Sequence, residues 1–111
     1  MKPAFSVLDS HKWPGGLARA VAILREDPET LSARLALHFH DDVDDLDRLQ
    51  QAYLRLPSGR VVVLRRHANH PVPGTPLYSD VNDSVGLALE EVMLSLELQP
   101  SDIAWVADED E

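Results

Sequence analysis

The clearest alternation of apolar and polar positions runs from Gln50 to His67. QQAYLRL and RVVVLRRH flank Pro57-Ser58-Gly59, and the run Val61-Val62-Val63 is β-branched. Such a pattern around turn residues predicts a β-hairpin, with strands at about 50–56 and 60–67. A type I turn closed by a left-handed Gly59 gives a three-residue loop. That loop sets the register: Leu56 faces Arg60, Leu54 faces Val62 and Ala52 faces Leu64. One face then carries Ala52, Leu54, Leu56, Val62 and Leu64 and belongs to a core. The other carries Leu49, Tyr53, Val61 and Val63 with Arg55 and Arg65. It is half apolar, so a helix or another subunit is expected to cover it.

The flanking segments follow from periodicity and punctuation. Residues 1–14, with Phe5, Val7, Leu8, Trp13 and Pro14, read as an irregular arm with apolar anchors and room for a short strand. After Gly15-Gly16, the apolar spacing Leu17, Val21, Leu24 predicts a helix over about 16–26. Asp27-Pro28 is a helix-start signal. From it, a helical turn over 28–33 is expected to run into a strand at 34–40, where Leu35, Leu37 and Phe39 alternate with Ala36, His38 and His40. The competing pattern is a longer helix with Leu31 and Leu35 on one face. Residues 41–48 read as a short helix or a loop.

Beyond the hairpin, the Pro-rich 68–76 is an extended loop and Leu77–Val81 a short strand. Asn82 or Asp83 caps a helix over 84–97 whose stripe is Val85, Leu89, Val92 and Leu96. Pro100 stops it. Ile103–Ala107 is the last strand, with Trp105 assigned to the core. The last strand–helix–strand run predicts a right-handed βαβ unit. The sum is an α+β domain: a mainly antiparallel sheet of four to five strands around the central hairpin, with helices at 16–26 and 84–97 packed on it.

Length leaves room for one domain, since the chain has 111 residues. Charge changes the picture more. There are 10 Lys+Arg against 19 Asp+Glu, a net of −9. Five aspartates fall in DDVDDLD (41–47) and four acids in the tail DEDE (108–111), which together equal the whole excess. The tail is expected to be disordered. Arg55, Arg60, Arg65 and Arg66 form one basic segment. A neutral body with acidic patches argues against nucleic-acid binding, which needs a phosphate-facing basic surface. Cysteine is absent, which excludes disulfides, thiol catalysis and Cys-type zinc sites. No apolar run is long enough to span a membrane, and the first residues lack the pattern of a signal peptide, so a cytoplasmic location is the expectation.

Candidate chemistry is sparse. On a strand, His38 and His40 would share a face about 7 Å apart. With His67 and His70 they form the candidate transition-metal set, beside Asp41 and Asp42, because imidazole and carboxylate suit such ions. Asp80, Asn82, Ser84 and Glu91 approximate a calcium loop but lack its sixth-position glycine. No serine stands in a nucleophile elbow and no glycine-rich phosphate loop occurs. A catalytic role is therefore not the expectation, and no cofactor is called for. The expected function is a small protein–protein interaction module, an adaptor, inhibitor or neutralising partner, binding another protein or itself as a homodimer. Tyr53, Arg55, Val61, Val63 and Arg65, with Asp41, Asp42, Asp44 and Asp45, are its expected contact residues. A metal-binding domain built on the histidines is the alternative.

Overall fold

A computed structural model of the chain describes residues 6–8, 18–44 and 47–108. The remainder of the N-terminal arm with Trp13, Asp45 and the tail beyond Asp108 lie outside the described residues. Among the described residues, seven strands and two α-helices follow in the order β1 (Ser6–Leu8), β2 (Ala18–Leu24), α1 (Pro28–Leu35), β3 (His40–Asp44), β4 (Asp47–Arg55), β5 (Val61–His67), β6 (Thr75–Asp80), α2 (Val85–Leu96) and β7 (Ile103–Val106). All pairings are antiparallel, in the order β1-β4-β5-β6-β2-β7. β3 also pairs with β4. Seven strands fill six positions, because β1 pairs with residues 53–55 of β4 and β3 with residues 47–51 along the same flank. The α+β class and the antiparallel sheet are as expected. The sheet is wider than four to five strands.

The hairpin forms in the expected register. Leu54 pairs with Val62 and Ala52 with Leu64. The Leu56 N–H donates to the Arg60 carbonyl at 2.8 Å, and Gly59 has φ 94°. The left-handed residue twists the loop to suit the strands, which is why glycine stands there. Leu54, Leu56, Val62 and Leu64 enter the main core with Val21, Ala22 and Leu24 of β2, Leu77 of β6, Leu31 of α1, and Val85, Ala88, Val92 and Leu96 of α2. Both helices therefore cover one face of the sheet.

Four expectations are corrected. Residues 18–24 are a strand in the interior of the sheet, not part of a helix at 16–26. A bulge between Ala20 and Ala22 inserts Val21 into the ladder with β6. Val21, Ala22 and Leu24 thereby reach the core together, a spacing that imitates a helical stripe. Second, α1 continues to Leu35 and ends at Ala36, whose φ is 57°. The Ser32 hydroxyl donates to the Leu37 carbonyl at 2.6 Å across that end. The strand begins only at His40, so 34–40 is not a strand. Third, 41–44 and 47–48 are strand rather than helix or loop: β3 and β4 pair from His40↔Gln51 to Asp44↔Asp47. An edge strand keeps its carboxylates in water, so their charge does not prevent pairing. Fourth, the βαβ unit is split. β6 and β7 both pair antiparallel with β2 and so run parallel to each other with β2 between them.

Smaller differences have local causes. Ser84, not Asn82 or Asp83, caps α2, its hydroxyl accepting from the Leu87 N–H. β6 starts at Thr75, two residues earlier than expected. Gly74 makes this possible: its φ is 105°, and a Cβ there would stand 2.1 Å from the Leu24 carbonyl oxygen. Only glycine lets β2 and the start of β6 approach so closely.

Candidate functional site

The two flanks of the sheet differ, and the β7 flank carries the candidate site. Its start is braced from several sides. A 3-10 turn at Pro100–Asp102 leads into it. The Asp102 carboxylate accepts from the Gln99 N–H at 2.7 Å and from both terminal nitrogens of Arg34 at 3.0 Å. The Arg34 guanidinium and the Gln99 N–H hold this carboxyl well below the ordinary 3.8, at about 2. Arg34 also binds Glu26. The Arg25 N–H donates to the Asp102 carbonyl at 2.8 Å. Its guanidinium then reaches round to the neighbouring carbonyls, Ser101 at 2.9 Å and Ile103 at 3.1 Å.

Beyond that brace the strand is open. Trp105 pairs with Ile23 and Val106 with Ala22. The Ala107 N–H donates to the Val21 carbonyl at 2.8 Å. Backbone groups alternate in direction along an antiparallel ladder. Those of Trp105 therefore face β2, and the N–H and C=O of Val106 face outward. Among the described residues, β2 is the only strand paired with β7. Side chains alternate too: Val106, opposite Ala22, stands on the helix-covered face, and Trp105 on the other. Trp105 is 46% exposed and Val106 47%, and Ala104 is exposed as well. The assignment of Trp105 to the core is thus corrected, because topology makes its strand an edge. Sequence reasoning missed this site. IAWVA has no charge or proline between Asp102 and Asp108, a composition that suits an interior strand as well as an edge.

The residues expected to make contacts are placed differently. Tyr53, Val61 and Val63 form a second cluster with Tyr78 on the face away from the helices. They are 2%, 9% and 0% exposed within one chain. Arg65 closes over this cluster. It donates to the Tyr53 hydroxyl and to the Gln51 side-chain oxygen, both at 2.9 Å, and lies 5.6 Å from the centre of the Tyr78 ring. Gln51 in turn donates to Asp42 at 3.2 Å. Arg65 and the acidic segment are therefore linked through an amide. Arg55 is exposed, as are Asp41 and Asp42. Asp44 ends β3.

The basic segment is dispersed. Arg66 donates to the Val72 and Gly74 carbonyls at 2.8 and 2.6 Å. Arg60 is paired with Glu91 at 2.8 Å and Asp83 at 3.3 Å. Glu91 also accepts from the Ser58 N–H at 2.9 Å and hydroxyl at 2.7 Å. Burial alone would raise its pKa, but these Ser58 bonds and the Arg60 charge overcome that and hold it below the ordinary value. The network fastens the hairpin turn to α2. The Asp80 carboxylate accepts from the Asn82 N–H at 2.8 Å, an ordinary turn contact.

The rings of His38 and His40 stand edge to face, 4.9 Å apart. His70 bonds to the Val72 carbonyl at 2.9 Å. Among the described residues, no group of three or more His, Asp or Glu side chains is placed to hold a metal ion. An open depression of about 440 Å³ lies among Asp41, Val43, Arg48, Gln50 and Arg66. α2 exposes Leu87 and Leu94, but its backbone groups are closed within the helix, so it offers apolar area without a hydrogen-bonding edge. Among the described residues no helix is long and apolar enough to cross a membrane. No protein-family model, curated protein or solved structure matches the chain.

Proposed function

We propose that the protein is a non-enzymatic protein-docking module whose contact element is the open edge of β7. The observation that carries this reading is the conjunction at Val106 and Trp105. Outward-facing backbone groups lie beside a half-exposed tryptophan and a half-exposed valine on an uncharged strand. Natural edge strands are blunted by charge, proline, a bulge or a covering segment because an uncovered one pairs with other chains. In β7 a bulge at Ala104 and the Arg25 guanidinium occupy the start of the strand, and the docking role falls to the uncharged stretch from Trp105 onward, by strand addition in which main-chain hydrogen bonds supply affinity and alternate side chains supply selectivity.

Val106→Pro tests the reading. The substitution removes only an N–H that faces away from β2, and proline is tolerated at such edge positions. The expected result is a variant with unchanged circular dichroism that no longer associates with itself or with the protein the wild type recovers from its native host. An association that survives Val106→Pro, or a wild type that binds no protein at all, would overturn it.

A second reading rests on the 4.9 Å His38–His40 pair, to which a metal ion could be bound if a third ligand came from another molecule. Stoichiometric transition metal in tag-free protein, lost in His38→Ala/His40→Ala, supports it. Metal-free protein after saturation and dialysis ends it.

A further inference from the structure

We propose that the outer face of α2 is a second docking surface, and that its occupant is a cationic amphipathic helix of another protein. The proposal goes beyond the β7 edge and uses none of its residues. Val85, Ala88, Val92, Ser95 and Leu96 turn one side of α2 into the protein. The opposite side of an ordinary surface helix is polar throughout. Here Leu87 is 61% exposed and Leu94 73%. They stand seven residues apart, about 10 Å along the axis. Glu90 of the helix and Glu97 at its C-terminal cap, both exposed, continue the same line. The line reads Leu87, Glu90, Leu94, Glu97, the three-and-four spacing with which one helix presents a seam to another. Beside it runs a groove of about 370 Å³ lined by Gly86, Leu89, Glu90, Met93, Leu94 and Leu98, in which Glu90 is the one charged member.

The spacing selects a helix. α2 has no open main-chain edge, so an occupant is held by side chains, and a helix laid in a groove brings apolar anchors at the same interval. Charge selects the sign. The chain has no Lys or Arg after Arg66. Arg60, which reaches α2, is committed to Glu91 and Asp83. Among the described residues neither Glu90 nor Glu97 forms an ion pair. A second copy of α2 laid on the first would set carboxylates of one seam against those of the other, and an anionic membrane would meet the same repulsion. A partner helix with apolar anchors and Lys or Arg between them answers the leucines and the glutamates together, and the charges fix which helix is accepted.

Fluorescence anisotropy of a labelled synthetic helix, titrated with the full chain at physiological salt, reads the docking. The probe is a peptide of about three heptads with Leu and Lys alternating at the three-and-four spacing, and its counterpart carries Glu for Lys. The wild type is expected to bind the Lys peptide and not the Glu peptide. Leu94→Ser should weaken binding at least roughly tenfold, the loss of one anchor. Glu90→Lys with Glu97→Lys should invert the preference, and that gained binding of the Glu peptide also shows that the variant is folded. Asp41→Lys with Asp42→Lys, an equal charge reversal on β3, should leave binding of the Lys peptide within about twofold. Binding that survives Leu94→Ser, or that falls as far with the β3 reversal as with that of α2, is general attraction to an acidic protein and overturns the proposal. A wild type that binds neither peptide overturns it too. So does a wild type whose self-association in sedimentation is lost in Leu94→Ser, which makes a second copy the occupant. Val106→Pro is expected to leave peptide binding unchanged, so the β7 reading and this one fail separately.

Discussion

The two flanks of one sheet solve the same problem in opposite ways. β3, His40–Asp44, carries three aspartates in five residues. Its single apolar side chain, Val43, is exposed between them. β7, Ile103–Val106, carries none, and its charges stand just outside the strand at Asp102 and Asp108. Carboxylates along an edge repel a second edge and keep their water, which raises the cost of pairing there. An edge with tryptophan and valine lowers it. The comparison teaches that the acid in this chain is positioned as well as abundant. It lines the β3 half of one side of the sheet and is absent from the β7 strand. The −9 net charge cannot express that, because it sums over both flanks.

The comparison can be broken most strongly at the centre of the sheet that both flanks share. Leu64 is fully buried, paired with Ala52 on one side and Leu77 on the other. Leu64→Ala should cost about 2–5 kcal/mol in urea unfolding, from lost transfer energy and the cavity left behind. Trp105→Thr on the edge should change stability by no more than about 0.5 kcal/mol and still abolish association. If the two costs are alike, β7 is more deeply packed than its exposure implies.

The closed flank can be opened. Asp41→Val with Asp42→Thr removes two of the three charges from β3. Self-association by light scattering is expected to strengthen at least tenfold, about 1.4 kcal/mol, and to be insensitive to Val106→Pro. No change would mean that the aspartates do not guard that edge.

The hairpin was legible from sequence because everything that sets its register is local. Pro57-Ser58-Gly59 chooses the turn, and alternation then assigns each side chain to a face. β2 was not legible, since a single inserted residue at Val21 converts strand alternation into helical spacing. The site was hidden for a different reason. Whether IAWVA lies inside a sheet or along its margin depends on which strand pairs with β2, and no feature of residues 103–107 encodes that. The Arg60–Glu91 pair spans 31 positions and the Arg34–Asp102 pair 68, so periodicity reveals neither brace.

Those braces give the two smaller effects. Glu91→Ala leaves Ser58 and one Arg60 nitrogen without their partner and should cost about 1 kcal/mol, seen as an earlier urea midpoint. The native pKa of Glu91 is lowered, so its contribution is present above the ordinary 4.5 and disappears as pH falls through the native value. Glu91→Ala should therefore flatten the stability loss on acidification. Asp102 behaves in the same direction. Its contribution is full above about pH 4 and fades as pH falls towards 2. The pair is close to water, which limits its worth to under about 1 kcal/mol. Arg34→Met should reproduce at neutral pH the loosening of the β7 edge that acid produces, measured as faster amide exchange at Trp105 and Ala107, while β3 is unaffected.

Hydrogen exchange at the Val106 amide tests the central claim most directly. That N–H has no partner in β2, so it should exchange rapidly in dilute protein. Its exchange should slow as the docked state fills, with no matching change over residues 41–43. A Val106 amide that exchanges at one rate across the whole association curve would show that the complex forms elsewhere and that the open edge is not the contact.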